Sequence, residues 1–292
     1  MDYVRFVEKP ALRNPALVVA FTGWGDAGAA ASSAALLLLR DRDVVRLADF
    51  DVEAFYILTT ARPLVRELGE GRRIVWPSLG LLAGQSSGTI RDLVVLVAAE
   101  PQLRWRTFAS AVADTWLGLG GGPALLLGSF LAEAPLLGPV PLFGSGSTSR
   151  LTALLEASSV VPNGYGGPTS ALLPVYEALA SRNVACADIW TAIPQRLYRL
   201  PNPKAAAALL GVVSRILWLS LDLSDLAQAA KSFDASIQRK LAQTSGPPQG
   251  LPLLPRVAMS TPLPSAEEAI REVERYLGLG PRGKSSAEGE SG

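Results

Sequence analysis

The sequence predicts an α/β protein, because short apolar runs alternate with longer helical patterns along most of its 292 residues. The run DLVVLVAAEP is continuously apolar, as expected of a central strand that is covered on both faces. The pattern QLRWRTFASAVADTWLGLG, which follows it, has the spacing of a helix. With 49% hydrophobic residues, the chain can bury one substantial core.

The predicted elements of the first half follow in order. VRFVE and ALVVAFTG are predicted strands, and AGAAASSAALLLLRD is predicted to be a helix of about three to four turns. DVVRLADF and RRIVWPS come next, with EAFYILTT and RPLVRELGEG between them. After DLVVLVAAEP and its helix, ALLLGSF is a predicted strand, and a proline-rich turn leads to VPLFGSGS.

In the second half, capping residues mark the predicted helix starts. Thr169 is predicted to cap the helix that follows a Gly-Gly-Pro turn, and Asn202 is predicted to cap the next one, with Pro203 in its first turn. Ser224 begins a further helix. Between the first two helices, VACADIWTAIPQ is a predicted strand, and the only cysteine, Cys186, is interpreted as a core residue of that strand.

The carboxyl-terminal part is predicted to be separate from the main body. Residues 1–245 are assigned to one α/β domain, residues 246–278 to a proline-rich linker and a short helix, and residues 279–292 to a disordered tail. Ser265 and Glu268 have the spacing of a capping box at the start of that last helix. The expected architecture is therefore an α/β domain with a carboxyl-terminal helical appendage.

Composition excludes several classes of function. The sequence contains no histidine, which rules out a Ser-His-Asp hydrolase and a histidine-ligated metal site. Its 27 basic and 26 acidic residues nearly cancel, so we expect neither nucleic acid nor a membrane surface as a partner. No secretion signal or membrane-length apolar run is evident, and a cytoplasmic location is expected.

Two local motifs lack the context that their chemistry requires. GQSSG, with Ser86 at its centre, has the spacing of a nucleophile elbow, but no histidine is available as base. GLGPRGKS, residues 278–285, has the spacing of a P-loop, but it follows a helix and runs into the polar end of the chain. Both motifs are interpreted as chance matches in loops.

A third motif, TGWGDAG, combines a G-x-G-x-x-G pattern with a preceding strand and a following helix, which is the order found in dinucleotide-binding turns. Asp49 and Asp51 lie about 20 residues further on, where a ribose-binding carboxylate is expected. However, Trp24 would crowd a pyrophosphate, and the Asp26 carboxylate would repel it. We predict instead that Asp26 caps its own helix and that the turn is structural.

Four blocks of sequence resemble the bacterial and archaeal branch of the proteasome assembly chaperone family. They are NPALVVAFTGWGDAGAAASSA, AEPQLRWRTFASAV, GGPTS and PNPKAAAALLGVV, in this order and at these intervals. The resemblance covers about residues 1–245. It implies a three-layer α/β/α sandwich with a mixed sheet similar to that of nucleoside phosphorylases and related hydrolases, homo-oligomeric assembly as a trimer or higher, and no established catalytic activity.

The resemblance also implies a protein partner such as a proteasome or another ring complex, and no cofactor. The chain departs from the family in two places. It ends in GESG, whereas several relatives dock through a carboxyl-terminal hydrophobic-tyrosine-any sequence, and Leu277 after Tyr276 is the nearest match. The segment after AEAP also lacks a histidine that relatives often have there. A non-catalytic scaffold or assembly chaperone is therefore the first functional hypothesis.

The alternative hypothesis is a small-molecule or nucleotide-binding enzyme or sensor whose pocket lies at the carboxyl ends of the strands. The candidate ligand-binding residues are Trp24, Asp26, Gly28, Glu100, Arg104, Ser129, Tyr165 and Thr169. Asp26, Glu100 and Arg104 could form a buried charge cluster, although each also has an ordinary structural role available to it. We assign no catalytic residue and no metal ligand. A dinucleotide oxidoreductase remains the third hypothesis.

Overall fold

The computed structural model describes residues 3–68, 71–85, 89–198, 200–243 and 275. The strands are β1 (Val4–Phe6), β2 (Ala16–Thr22), β3 (Asp43–Phe50), β4 (Leu64–Leu68), β5 (Gly71–Val75), β6 (Gly80–Gln85), β7 (Leu93–Ala99), β8 (Ala124–Ala132), β9 (Leu142–Gly146), β10 (Val161–Pro162) and β11 (Cys186–Pro194). The helices are α1 (Ala30–Leu37), α2 (Val52–Phe55), α3 (Trp105–Gly118), α4 (Ser149–Glu156), α5 (Leu172–Ala180), α6 (Pro203–Leu217) and α7 (Ser224–Gln243).

The main sheet is mixed, with the strand order β1-β3-β6-β7-β2-β8-β11-β9-β10. Strands β7, β2, β8 and β11 are parallel neighbours at its centre. Strand β6 is antiparallel to both β7 and β3, so β3 runs in the same direction as the central strands. The carboxyl ends of β3, β7, β2, β8 and β11 therefore lie along one edge, which we call the carboxyl edge.

Strand β2 shows how the two faces of the sheet are covered. Its residues Ala16, Val18 and Ala20 pack in a core with α1, α4, α6 and α7, whereas Leu17, Val19 and Phe21 pack in a second core with α3 and α5. This arrangement follows from the alternation of side chains along a strand. Helices on both faces of a mixed sheet confirm the predicted α/β/α fold.

The structure differs from the predicted elements in two places. Strand β6 was not predicted, because the glycine-rich GLLAGQ was interpreted as a loop beside Ser86. Its glycines are required by close neighbours: a Cβ on Gly84 would lie 2.8 Å from Leu39 Cδ2, and one on Gly80 would lie 2.5 Å from the Ala48 carbonyl oxygen. Helix α1 is eight residues long, shorter than predicted, because it begins only after a 3₁₀ turn at Ala27–Ala29.

Strands β4 and β5 form a separate two-stranded antiparallel sheet. Val65 and Ile74 are paired across its strands, and both are more than half exposed.

In the strand β11, Cys186 is fully buried, and burial raises the pKa of its thiol to about 11. The core role predicted for this cysteine is confirmed.

Several predictions concern residues that the structure does not describe. Ser86, the linker and capped helix at 246–278 with Ser265 and Glu268, and the P-loop-like segment at 278–285 lie outside the described residues, apart from position 275. Among the helices that are described, none has the length and apolar content to cross a membrane.

Candidate functional site

The turn after β2 is joined to the neighbouring strand β8 by the backbone and by one side chain. The Ser129 amide donates to the Gly25 carbonyl oxygen at 2.8 Å, and its hydroxyl donates to the Ala27 carbonyl oxygen, also at 2.8 Å. Asp26 and Ser129 thereby form an isolated parallel bridge. The predicted site residues Asp26 and Ser129 are in fact neighbours, and Ser129 is fully buried. Its role here is to fix the turn.

The Asp26 carboxylate occupies the start of α1. Its Oδ1 accepts from the amides of Ala31 at 2.9 Å and Ser32 at 3.1 Å, and its Oδ2 accepts from the Ser32 hydroxyl at 2.5 Å. The prediction that this carboxylate satisfies its own helix is confirmed. The geometry differs from an ordinary N-cap, because the 3₁₀ turn separates Asp26 from α1 and Ala29 holds the cap position itself.

Burial determines the titration of Asp26. Its side chain lies within the protein, and the loss of hydration raises its pKa from 3.8 to about 6, while the hydrogen bonds from Ser32 and Ala31 act in the opposite direction. The carboxylate is thus held close to its protonation point near neutral pH. All of the donors that favour its charged form belong to the protein.

Glu100 serves the start of α5 in a similar way. It follows β7, and its Oε1 accepts from the Ala171 amide at 2.8 Å. Burial raises the pKa of Glu100, and this hydrogen bond lowers it. The cap predicted for Thr169 is wrong: α5 begins at Leu172, the Ser170 hydroxyl oxygen accepts from the Leu172 amide at 3.3 Å, and Thr169 donates to the Ser170 carbonyl oxygen.

A third helix begins at the same place. The Asn202 amide donates to the Gly28 carbonyl oxygen at 3.0 Å, and the Asn202 side chain caps α6 by accepting from the Ala205 amide at 3.0 Å. The predicted cap at Asn202, with Pro203 at the first helical position, is confirmed. The amino ends of α1, α5 and α6, which are the positions where an anion would bind, are therefore capped by groups of the protein itself.

Protein side chains also pack directly against the turn. A Cβ built on Gly25 would lie 3.4 Å from Ser170 Cβ and 3.5 Å from the Trp190 indole. Gly23 lies beside Glu100 in the same way. In a dinucleotide-binding fold, the backbone of this turn would approach a pyrophosphate. Here it approaches the side chains of Trp190 in β11 and of Ser170, just before α5. Sequence reasoning did not place Ser170 or Trp190 at this position: Ser170 ends the GGPTS block and Trp190 lies in a predicted strand, but neither pattern indicates a contact with the turn.

The remaining predicted residues do not converge on Asp26. Arg104 is exposed, has left-handed backbone geometry, and donates to the Tyr3 hydroxyl at 3.2 Å. The predicted charge cluster of Asp26, Glu100 and Arg104 is not formed, because Arg104 is bonded to Tyr3 and both carboxylates are bonded to main-chain amides. Trp24 is 59% exposed, and Tyr165 is 65% exposed and donates to the Pro168 carbonyl oxygen.

The two aspartates considered for ribose binding have other partners. Asp51 caps α2 by accepting from the amides of Glu53 and Ala54. Asp49 pairs with Arg5 and Arg46. Among the described residues, no group of three or more cysteine, aspartate or glutamate side chains is placed to hold a metal ion.

The glycines of the turn have different structural requirements, which gives a direct test. Gly28 has a φ of 62°, and a Cβ there would lie 3.1 Å from the Leu200 carbonyl oxygen and 3.2 Å from Asn202 Cβ. Replacing Gly28 with alanine is expected to lower the free energy of unfolding by about 1–3 kcal/mol, because strain and crowding add. Chemical denaturation followed by circular dichroism measures the change.

The matched control for this variant is Gly25→Ala. The φ of Gly25 lies outside the left-handed region, and its new methyl group would make ordinary contacts at 3.4 Å or more. A change of less than about 1 kcal/mol is expected. Equal losses for the two variants would contradict the structural roles given to these glycines.

Comparison with known proteins places the chain in a family. A model of the PAC2 family matches residues 20–241. No curated protein matches the sequence. A PAC2 family protein from Streptomyces avermitilis is 31% identical, with a TM-score of 0.72, and the match covers 80% of this chain and 100% of that one.

Two further structures are similar. A Mycobacterium tuberculosis protein described as a proteasome-assembly chaperone homologue is 29% identical, with a TM-score of 0.70 and coverage of 80% of this chain and 97% of that one. PbaB of Pyrococcus furiosus, an archaeal proteasome activator, shares the fold at 17% identity, with a TM-score of 0.64 and coverage of 83% and 100%. The chain therefore belongs to the PAC2 family, as the resemblance of its four sequence blocks to proteasome assembly chaperones predicted.

Proposed function

We propose that this protein is a non-catalytic, homo-oligomeric scaffold or assembly chaperone, a trimer or higher, that acts on a proteasome or another ring complex. Its family membership and its similarity to a proteasome-assembly chaperone homologue support this role. The single observation behind it is the internal capping of α1, α5 and α6 by Asp26, Glu100 and Asn202. These three side chains already accept hydrogen bonds from main-chain amides, so their oxygen atoms are engaged in the fold rather than with a substrate.

The carboxyl edge offers aromatic and apolar side chains to a protein partner instead. We call them the edge surface, which consists of Trp24, Leu131 and Tyr198, all more than 40% exposed. Trp24, Leu131 and Tyr198 lie at or after the ends of the parallel neighbours β2, β8 and β11, so they share one edge of the sheet. Aromatic residues of this kind are enriched at protein interfaces.

Charge favours a second copy of this chain as the occupant of the edge surface. The exposed Glu133 follows β8 and the exposed Arg196 follows β11, so charges of both signs lie beside the edge surface. The whole chain has a formal net charge of +1, so copies do not repel one another strongly. A surface with both signs can complement itself in a symmetric assembly.

Light scattering coupled to gel filtration tests this assignment. The wild-type protein is expected to elute at three or more times its chain mass of 30.7 kDa. The variant Trp24→Ser/Tyr198→Ser is expected to lose most of this assembly, because two exposed aromatic side chains of the edge surface are removed. Trp218→Ser is the matched control: this residue is 65% exposed and ends α6, about 22 Å along the helix from its start at the carboxyl edge.

Two outcomes would contradict the proposal. A wild-type protein that is monomeric at micromolar concentration would exclude the oligomer, and an edge variant of unchanged mass would place the subunit interface elsewhere. The ring partner has a separate test, in which tagged protein is used for pull-down from its host and the bound chains are identified. Failure to recover subunits of a proteasome or of another ring would leave the assembly role without a partner and count against it.

A further inference from the structure

A groove of about 560 Å³ lies at the end of β3, apart from the turn after β2. It is bounded by the residues around Tyr3, by the end of β3, and by residues 75–79, which run from the last residue of β5 to the start of β6. Its volume is in the range of small-molecule sites in proteins. The buried side chains of Phe50 and Leu79 contribute an apolar floor.

A β-bulge places the charged groups of the groove together. Residues three apart on a regular strand face opposite sides of the sheet, so Arg46 and Asp49 would be separated. The register of β3 against β6 shifts between Arg46 and Ala48, and as a result Arg46 Nε donates to Asp49 Oδ1. Bulges commonly redirect side chains in this way beside binding sites.

Further hydrogen bonds hold this arrangement in place. Arg46 Nη2 donates to the Ser78 hydroxyl oxygen at 2.8 Å, and Arg5 Nη2 donates to Asp49 Oδ2 at 2.7 Å. Two guanidinium groups thus share the carboxylate of Asp49. The other acid of the groove, Asp51, is bonded to the amides that begin α2. The Arg5 side chain is 79% exposed, so its planar donor group remains open to a ligand carboxylate or phosphate.

Two aromatic residues, Tyr3 and Trp76, line the same groove. Trp76 is 47% exposed, although it lines a cavity. Tyr3 also lines the groove, where its ring centroid lies 5.5 Å from that of Phe55 and its hydroxyl oxygen accepts from Arg104. A half-exposed indole and a partly buried phenol ring on a groove of this size suit a planar aromatic molecule.

From these observations we propose that the groove binds a small planar aromatic anion, with its carboxylate or phosphate on Arg5 and Arg46 and its ring against Trp76. This binding does not depend on the scaffold role. Asp49 was considered from sequence for a ribose at the turn after β2; the structure places it here instead.

Isothermal titration calorimetry of the full chain tests the proposal with AMP and indole-3-acetate as probes. Both are expected to bind with dissociation constants below about 1 mM. Adenosine lacks the anionic group and inorganic phosphate lacks the aromatic ring. Each is therefore expected to bind at least about tenfold more weakly than AMP. The variants Arg5→Gln and Trp76→Leu are each expected to weaken probe binding about tenfold.

Both variants change partly exposed side chains, so the fold should be retained, and circular dichroism verifies this. Arg239→Gln, an exposed arginine on α7, is the matched control and should bind as the wild type does. The proposal is overturned if neither probe binds at millimolar concentration, or if binding is unchanged in both variants. Equal affinity for AMP and adenosine would overturn the proposal that Arg5 and Arg46 bind an anionic group. Oligomer mass is measured separately, so failure here is distinguishable from failure of the scaffold role.

Discussion

Replacing Asp26 with alanine is expected to lower the free energy of unfolding by about 2–4 kcal/mol. The substitution removes the acceptor of the Ala31 and Ser32 amides and of the Ser32 hydroxyl, all of which lie in the buried first turn of α1. A buried donor that has lost its acceptor destabilises the folded state by more than an average hydrogen bond stabilises it. Urea denaturation measures the loss.

Asp51→Ala is the matched control, because Asp51 also accepts from two amides at a helix start, but at an exposed position. Water can replace an exposed cap, so a loss of about 1 kcal/mol is expected. If Asp26→Ala cost no more than Asp51→Ala, the buried carboxylate would not have the structural role assigned to it.

The variant Asp26→Asn tests the effect of the charge alone, because asparagine keeps a side-chain oxygen that accepts hydrogen bonds but does not titrate. The folded pKa of Asp26 is raised from 3.8 to about 6, so its contribution to stability is fully present below pH 3.8 and is lost as pH rises through about 6. The asparagine variant lacks this titration. Its stability relative to the wild type should therefore increase by up to about 3 kcal/mol between pH 4 and pH 7. A difference that stays constant with pH would contradict the raised pKa.

The second large effect is expected for Gly128→Ala in the middle of β8. Gly128 lies opposite Trp190 in the register with β11, and a Cβ at this position would lie 2.3 Å from two ring carbons of the indole. The methyl group therefore has to displace Trp190, which itself packs on the turn at Gly25. We expect the free energy of unfolding to fall by about 2–3 kcal/mol, as measured by chemical denaturation.

Two further variants complete this test. Gly128→Ala/Trp190→Leu should recover part of the loss, because a smaller side chain leaves room for the methyl group. Gly211→Ala on the exposed side of α6, where a Cβ meets nothing within 4 Å, should raise stability by about 0.5–1 kcal/mol. Stability of Gly128→Ala equal to that of the wild type would show that the indole does not occupy this position.

Local signals were sufficient for the framework of the fold and for Asp26. The apolar run Ala16–Thr22, its glycine turn and the following helix were predicted in order, and each is present. An acidic residue ahead of a helix is a local signal for capping, so the role of Asp26 was accessible from sequence. The caps at Asn202 and Pro203 were equally local.

The errors lie where distant residues determine the outcome. Thr169 was assigned a cap that Ser170 and Glu100 provide, and Glu100 lies 71 positions away from its partner Ala171. Arg104 was placed with two carboxylates but is bonded to Tyr3, 101 positions away. Strand β6 was missed because its glycines resemble loop residues, whereas they accommodate Leu39 and the Ala48 carbonyl oxygen. No local pattern encodes such pairings.

The position of Cys186 has a consequence for how copies of the protein can be joined. It is the only sulfhydryl in the chain, and it lies at the buried start of β11 with its pKa raised to about 11. Disulfide exchange proceeds through the thiolate, which is scarce at neutral pH for such a group and has no access to solvent. A disulfide between copies of the folded protein is therefore not expected, and the mass measured by light scattering should be the same in reducing and oxidising buffers.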